Sequence, residues 1–367
     1  MKFFLVMTVF AFSSWAQAKN VRRIPSSIKS FDGFSLPYSL EVPEGMKKED
    51  VKSVVVFVHG SGPNDMNEDL SDGSVPKGVQ NLVFKDISDA LLSQGIATVR
   101  YNKRSYEITV RLERDPKTKE SQEYKNLMAH PFKYYIDDLA AVVDFAHKEF
   151  PNAKMNILGH SEGTGVAIYV ASKKSFINGV CLIGFSNEST EVNLFEQIVY
   201  RSLHIFDSLD INHDGVIDSN ELNANNDTAK ALKAQLTILD LDKDGKVSLS
   251  EFKAGNYLNL VAKEEIPSVN YRSDEASLPR KSDLIEKAKY KILFLQGEWD
   301  NQTPAYFTQS IEMANINKWK KTDLKFVYFP KAGHELDPRD SYNDIFSRKI
   351  PSETLKKISE EIKGFLN

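Results

Sequence analysis

Six short apolar runs punctuate the chain: "SVVVFVH" (53–59), "IATVRYN" (96–102), "MNILGH" (155–160), "GVCLIGF" (179–185), "KILFLQG" (291–297) and "LKFVYFP" (324–330). Each has strand length, is rich in β-branched residues and is continuously apolar rather than alternating. A strand with one wet face alternates and a strand covered on both faces does not, so these runs predict a parallel sheet between layers of helix. Between several of them the apolar period lengthens to that of a helix. "FKDISDALLSQG" (84–95) closes on Gly95, as a helix C-terminus does. "YYIDDLAAVVDFAHKEFP" (134–151) stops at Pro151, and the last segment sets Leu355, Ile358, Ile362 and Leu366 on one face. Near the start, Asp32-Gly33 separates two strand-like runs in "IKSFDGFSLPYSLEVP", which predicts an opening hairpin. Strands alternating with helices define a doubly wound, mostly parallel α/β sheet.

Two stretches break this rhythm. About 100 residues separate "GVCLIGF" from "KILFLQG", far more than one crossover helix needs, and a shorter polar excursion runs from Ser105 to Lys133. The core, 19–186 together with 288–367, has the size of one large domain. Residues 187–287 therefore read as an α-helical cap inserted into it. The first 18 residues, "MKFFLVMTVFAFSSWAQA", have the form of a signal peptide: Lys2, an apolar run from Phe3 to Phe12, and the small-x-small Ala16-Gln17-Ala18. That run falls short of the ~20 apolar residues that span a bilayer, and no later stretch is long and apolar enough. The expectation is a mature chain that begins near Lys19 and is exported to the periplasm or the medium, without stable membrane insertion. Cys181 is the sole cysteine, so no intramolecular disulfide forms, and its place within "GVCLIGF" makes it a core thiol.

Charge is nearly balanced overall, with 47 Lys and Arg against 51 Asp and Glu, but the imbalance is local. Residues 187–253 hold 13 acidic and 6 basic side chains, a net −7. No basic patch suits nucleic acid, whereas an Asp-rich segment suits cations. This segment contains two 12-residue loops. In the first, Asp210, Asn212, Asp214, Asp218 and Glu221 stand at positions 1, 3, 5, 9 and 12, with Val216 at 7. In the second, Asp240, Asp242, Asp244, Ser248 and Glu251 take the same places, with Lys246 at 7. Ca²⁺ takes six to eight hard oxygens; position 7 supplies a backbone carbonyl and the last Glu both its oxygens. Gly215 and Gly245 at position 6 suit the sharp turn. Ile217 and Val247, at position 8, are placed to pair the loops through a short strand contact. The pair, across about 201–256, resembles an EF-hand pair, which implies two Ca²⁺ ions.

Nucleophilic chemistry is signalled elsewhere. "MNILGHSEG" runs from a strand into Gly159-His160-Ser161-Glu162-Gly163 and then into helix-like "TGVAIYVASKK". A serine at a strand-to-helix elbow flanked by glycines is the context of an activated hydroxyl. Such a serine needs a base, and the base an orienting acid. His334 follows the last apolar run in "FPKAGHELD", and Asp300 follows the preceding one in "EWDNQTP", with Glu298 as the alternative acid. Ser161, Asp300 and His334 thus each come just after a strand, while His160, inside the elbow, reads as a packing residue. An oxyanion hole needs two backbone donors. The Glu162 N–H is one; the other falls in "HGSGPND" (59–65), at Ser61 or alternatively Gly60.

Through "HGSGPND", "RYNKR", "GHSEG", the Gly297-x-x-Asp300 spacing and "AGH", residues 30–186 and 288–367 resemble the α/β-hydrolase superfamily, and within it bacterial carboxylesterases more than lipases. The resemblance implies a serine hydrolase acting on a small-molecule ester, or on a short peptide, through an acyl-enzyme. It also implies that an insertion at 187–287 forms a lid, which two Ca²⁺ ions would stabilise. A serine peptidase of aminopeptidase type with the same triad, and a calcium-binding module with an inactive core, remain open alternatives at this stage.

Overall fold

The computed structural model describes residues 26–71, 80–223, 227–234, 236–261, 269–342, 344 and 347–366. The segment 1–18, read from the sequence as a signal peptide, and the expected start near Lys19 lie outside the described residues. In chain order the strands are β1 (Ser27–Lys29), β2 (Ser35–Glu41), β3 (Ser53–Val58), β4 (Ala97–Tyr101), β5 (Lys154–His160), β6 (Ile177–Ile183), β7 (Val216–Ile217), β8 (Val247–Ser248), β9 (Lys291–Gly297) and β10 (Leu324–Phe329). All six apolar runs have become strands of one eight-stranded sheet, ordered β1-β2-β4-β3-β5-β6-β9-β10. Pairing is parallel from β4 through β10. β2 joins β4 antiparallel and β1 turns back on β2, which is the opening hairpin.

The continuous apolarity of the runs has a direct cause. Val54, Val56 and Val58 of β3 face one core layer, and Val55 and Phe57 face the other. Helices Pro131–Glu149 and Glu162–Ala171 contribute Leu139, Val142, Val143, Val166 and Ile168 to the first layer. Helices Val83–Ser93 and Ser352–Leu366 contribute Phe84, Ile87, Leu91, Ile358 and Ile362 to the second. Cys181 lies in that second layer, and burial pushes its thiol well above the ordinary range. The polar excursion 105–133 is helical too, as Arg104–Arg114 and Gln122–Ala129, although Ile108 and Leu127 are the only apolar residues those two helices bury. It is anchored by charge: Arg104, fully buried, donates through Nε to Asp138 at 2.9 Å and through Nη1 to Asp32 at 2.6 Å.

β3 passes to β4 on one side, whereas the chain leaves β5 for β6 on the other. The winding therefore reverses between β3 and β5, which pair with Val58 opposite Gly159. A crevice opens at the C-terminal ends of strands at such a reversal. The loop after β3 and the turn after β5 meet there.

The chain divides into two compact units, one formed by 190–268 and the other by the sheet with its helices. Residues 269–287, read from the sequence as part of the insertion, pack in the larger unit. There Asp274 meets His130 Nδ1 at 3.0 Å, and Lys281 donates to the Glu188 carbonyl at 2.6 Å. The smaller unit has its own apolar centre of Phe206, Leu209, Ile217, Leu222, Leu232, Val247 and Phe252. Among the described residues, no helix is long and apolar enough to cross a membrane. Phe294 shows how much the sheet depends on close packing, being fully buried, stacked on Phe326 at 4.6 Å and edge-on to Phe185 at 5.2 Å. Phe294→Ala is expected to lower the unfolding free energy by about 3–5 kcal/mol in urea titrations.

Candidate active site

Ser161 occupies the single residue between β5 and helix Glu162–Ala171, at φ 53° and ψ −121°. A non-glycine residue at positive φ costs about 1–3 kcal/mol and is held only when its surroundings dictate it. The flanking glycines dictate it here. A Cβ on Gly163 would lie 2.3 Å from the Val58 carbonyl oxygen, and one on Gly159 would lie 2.5 Å from the Gly163 carbonyl oxygen. The turn is further fixed by the Ser161 N–H, which donates to the Ile183 carbonyl at 2.9 Å. Thr164 closes it from the helix side, donating from its N–H at 2.9 Å and its hydroxyl at 2.6 Å to the Ser161 carbonyl.

Asp300 and His334 are brought together by the parallel pairing of β9 with β10. The carboxylate is fully buried and accepts from His334 Nδ1 at 2.9 Å. It also accepts from the Gln302 and Thr303 N–H groups, the Thr303 hydroxyl and Gln296 Nε2, at 2.8–3.0 Å. Burial alone would raise its pKa, but the facing His334 and these donors hold it below the usual carboxylate range. Glu298, the alternative acid, is exposed and makes no hydrogen bond to His334. The His334 ring lies against Gly184, where a Cβ would stand 2.8 Å from Cε1. Gly184 directly follows the Ile183 carbonyl that receives the Ser161 N–H, so the serine turn and the imidazole converge on the end of β6. The structure thus gathers all three sequence-predicted side chains at the C-terminal rim of the sheet.

Gly60 lies beside the serine, with a Cβ there only 3.1 Å from that of Ser161. Its N–H, however, donates to Glu68 Oε1 at 2.8 Å. Gly60 is therefore not a second oxyanion donor, because a buried carboxylate already holds its proton. Among the described residues, neither the Ser61 N–H nor the Glu162 N–H donates a hydrogen bond. The second oxygen of Glu68 meets His160 Nδ1 at 3.1 Å, so His160 does more than pack. Its ring stands 4.8 Å from that of His334. Burial opposes the charged imidazole, yet Glu68, with Glu335 and Asp300 beyond it, lifts the His160 pKa to about 9. His59, one residue before Gly60, is driven the other way by burial, down to about 4. Lys103, of the "RYNKR" motif, is buried and donates to the Gly60 carbonyl at 2.7 Å and to Glu162 Oε2 at 2.5 Å. Neither Glu68 nor Lys103 was singled out from the sequence as a site residue; for Lys103 the available signal was a charge just beyond β4 within "RYNKR", whereas Glu68 lies three residues past "HGSGPND" and had no such mark.

In the smaller unit the two loops have matching geometry. Gly215 and Gly245 adopt φ 83° and 86°. Glu221 accepts from the Ile211 and Asp218 N–H groups, as Glu251 does from those of Leu241 and Ser248. β7 and β8 pair Ile217 with Val247. The Asp240, Asp242 and Asp244 carboxylates each place an oxygen within 4.8 Å of the others, a donor set that fits a hard cation. Hydrogen bonds from Ser248 hold Glu251 ionised, with a pKa of about 2.

A sequence model of the alpha/beta hydrolase fold matches residues 113–336, more than half of the chain, and the chain belongs to that family. It is 30% identical over 165 residues to Esterase EstD of Thermotoga maritima, a match covering 45% of this chain and 34% of that protein. The chain thus spans about a third of the length of that curated relative. Similar solved structures include Est1E from Butyrivibrio proteoclasticus with ferulic acid bound, at 14% identity and a TM-score of 0.48, covering 93% of this chain and 98% of that one. The esterase domain of a Rhodothermus marinus protein is similar at 13% identity and a TM-score of 0.46, over 93% and 98% of the two chains.

The His160–Glu68 pair makes stability pH-dependent. His160 is held above its ordinary value of 6.5, so its contribution is complete below about 6.5 and is lost as pH rises through about 9. An NMR titration is expected to place the His160 ring near 9, and Glu68→Gln to lower it, since burial is then opposed only by the lesser pull of Glu335 and Asp300. A wild-type midpoint near 6.5 would contradict this.

Proposed function

We propose that this protein is a carboxylesterase that works through a Ser161–His334–Asp300 triad and an acyl-enzyme. The observation that carries the reading is the buried His334–Asp300 bond of 2.9 Å beside a serine held at φ 53°. Family membership and an esterase relative support it. His334 takes the Ser161 proton as the hydroxyl attacks the ester carbonyl. Asp300, its other acceptor sites occupied by Thr303, Gln302 and Gln296, fixes the imidazole tautomer and favours the imidazolium. The Ser61 and Glu162 N–H groups receive the developing oxyanion. His334 then returns the proton to the leaving alcohol, and water, activated by the same imidazole, releases the acid.

We further propose that the smaller unit is an EF-hand pair holding two Ca²⁺ ions, and that the chain is exported. The ligands would be Asp210, Asn212, Asp214, Asp218 and Glu221 with the Val216 carbonyl, and Asp240, Asp242, Asp244, Ser248 and Glu251 with the Lys246 carbonyl. Bound calcium would offset part of the −7 charge of 187–253 and lock the loops. The chemistry at Ser161 draws on none of these groups.

Ser161→Ala is expected to lower kcat on p-nitrophenyl acetate by on the order of 10⁴-fold or more, and Asp300→Asn by about 10⁴-fold. Wild-type-like turnover in folded Ser161→Ala removes the serine from its role. Calorimetric titration of the chelator-treated protein is expected to show two bound Ca²⁺, and chelation to lower the melting temperature of the smaller unit, followed by hydrogen exchange of its amides. No heat and no change in exchange on chelation would remove calcium from the account.

A further inference from the structure

The peptide unit that joins Gly60 to Ser61 is held in an unusual way. Its carbonyl oxygen accepts from Lys103 Nζ at 2.7 Å and from Asn64 Nδ2 at 3.1 Å. The preceding N–H, that of Gly60, is fixed by Glu68 at 2.8 Å. Each of these two charged side chains has a second contact on a flank of Ser161. Glu68 also holds His160, the residue before the serine, and Lys103 also holds Glu162, the residue after it. Both side chains are almost wholly buried, Lys103 at 4% exposure and Glu68 at 1%.

We propose that Glu68 and Lys103 are positioning residues that clamp the Gly60–Ser61 peptide to both flanks of the nucleophile and aim the Ser61 N–H as an oxyanion donor. The inference rests on the esterase reading of this site and adds to it the residues that set the hole's geometry.

Three physical arguments support it. A peptide is planar and trans, so its N–H points opposite to its carbonyl. Pinning the Gly60 oxygen on Lys103 therefore turns the Ser61 proton away from the ammonium. A cation at the carbonyl end also polarises the amide, which strengthens its N–H as a donor. Finally, buried ion pairs add little stability compared with apolar residues of the same size, so two beside one glycine are better explained by geometry than by stability. The clamp is itself braced. Glu68 adopts φ 48°, a strained value for a non-glycine residue, and such strain concentrates at functional positions. The Tyr271 hydroxyl holds Glu162 Oε1 at 2.7 Å, and the Tyr135 ring faces the Lys103 ammonium at 4.2 Å. A Cβ on Gly60 would press on the clamp, standing 3.1 Å from the Ser161 Cβ and 3.3 Å from Glu68 Oε1.

The test uses the full chain, p-nitrophenyl acetate, and a trifluoromethyl ketone that adds reversibly to an active serine. Lys103→Met and Glu68→Leu are each expected to lower kcat by about 10²-fold with KM changed less than about 3-fold, and to weaken the ketone by a similar factor as kcat. Glu68→Gln, which keeps both contacts, is expected to stay within about 5-fold of wild type. Wild-type kcat in either folded variant, or a loss confined to KM, overturns the clamp. If those two variants do not melt cooperatively, Glu68→Asp decides: it keeps the charge but retracts it by one methylene. A fall in kcat of about 10-fold or more at an unchanged melting temperature supports the clamp, and an unchanged kcat overturns it. A wild-type protein that neither hydrolyses the ester nor binds the ketone would instead remove the esterase reading, a distinct outcome.

Discussion

The approach of the Gly163 backbone to the carbonyl of Val58, with no space for a methyl group between them, ties helix Glu162–Ala171 to the end of β3. Because that approach is so close, the turn between β5 and the helix must complete itself in one residue, and Ser161 takes up an otherwise unfavourable φ. The same proximity puts the serine beside Gly60 and brings the loop after β3 and the turn after β5 into one crevice. A larger residue at position 163 would displace the helix, relax the turn and separate Ser161 from Gly60. The placement of Ser161 thus begins with a steric fact about two backbones, set by the parallel pairing of β3 with β5.

Around that contact the protein buries several charges, and the carboxylates and the lysine among them are each answered by more than one partner. Asp300 receives five hydrogen bonds, counting His334 Nδ1. Glu68 and Lys103 each divide their contacts between the Gly60 loop and a residue next to Ser161. The two histidines near Glu68 respond oppositely, His160 becoming more basic and His59 less, because only His160 is in hydrogen-bond contact with the carboxylate. Charges answered by several partners hold side chains to one geometry, which apolar packing alone does not specify.

Most of the sheet was legible because burial on both faces leaves a mark that single-residue reading detects: an unbroken apolar run. The same holds for Ser161, Asp300 and His334, which follow such runs directly. The helices of 105–133 were not legible, since they bury little beyond Ile108 and Leu127 and are held by the Arg104–Asp138–Asp32 charges, which are distant in sequence. Residues 269–287 look like a continuation of the polar insertion, yet Tyr271 and Asp274 are recruited by partners at 130 and 162. Glu68 and Lys103 were missed for a related reason: a charged residue in a turn reads as solvated until the fold places a carbonyl or an imidazole against it. The choice between Ser61 and Gly60 likewise depended on where one N–H points, and only coordinates show that it points at Glu68.

β6 pairs directly with β9, although the whole smaller unit intervenes in the chain. As the polypeptide emerges, the strand holding Val180, Cys181, Leu182 and Ile183 has no neighbour on that side until residue 291 arrives. An apolar edge left open this long can be captured by another molecule. An intervening segment that gathers around its own Phe206 and Phe252 contains its apolar residues meanwhile, so the late strand meets an edge still free to receive it. The separate apolar centre of the smaller unit thus leaves the waiting edge of the larger one clear.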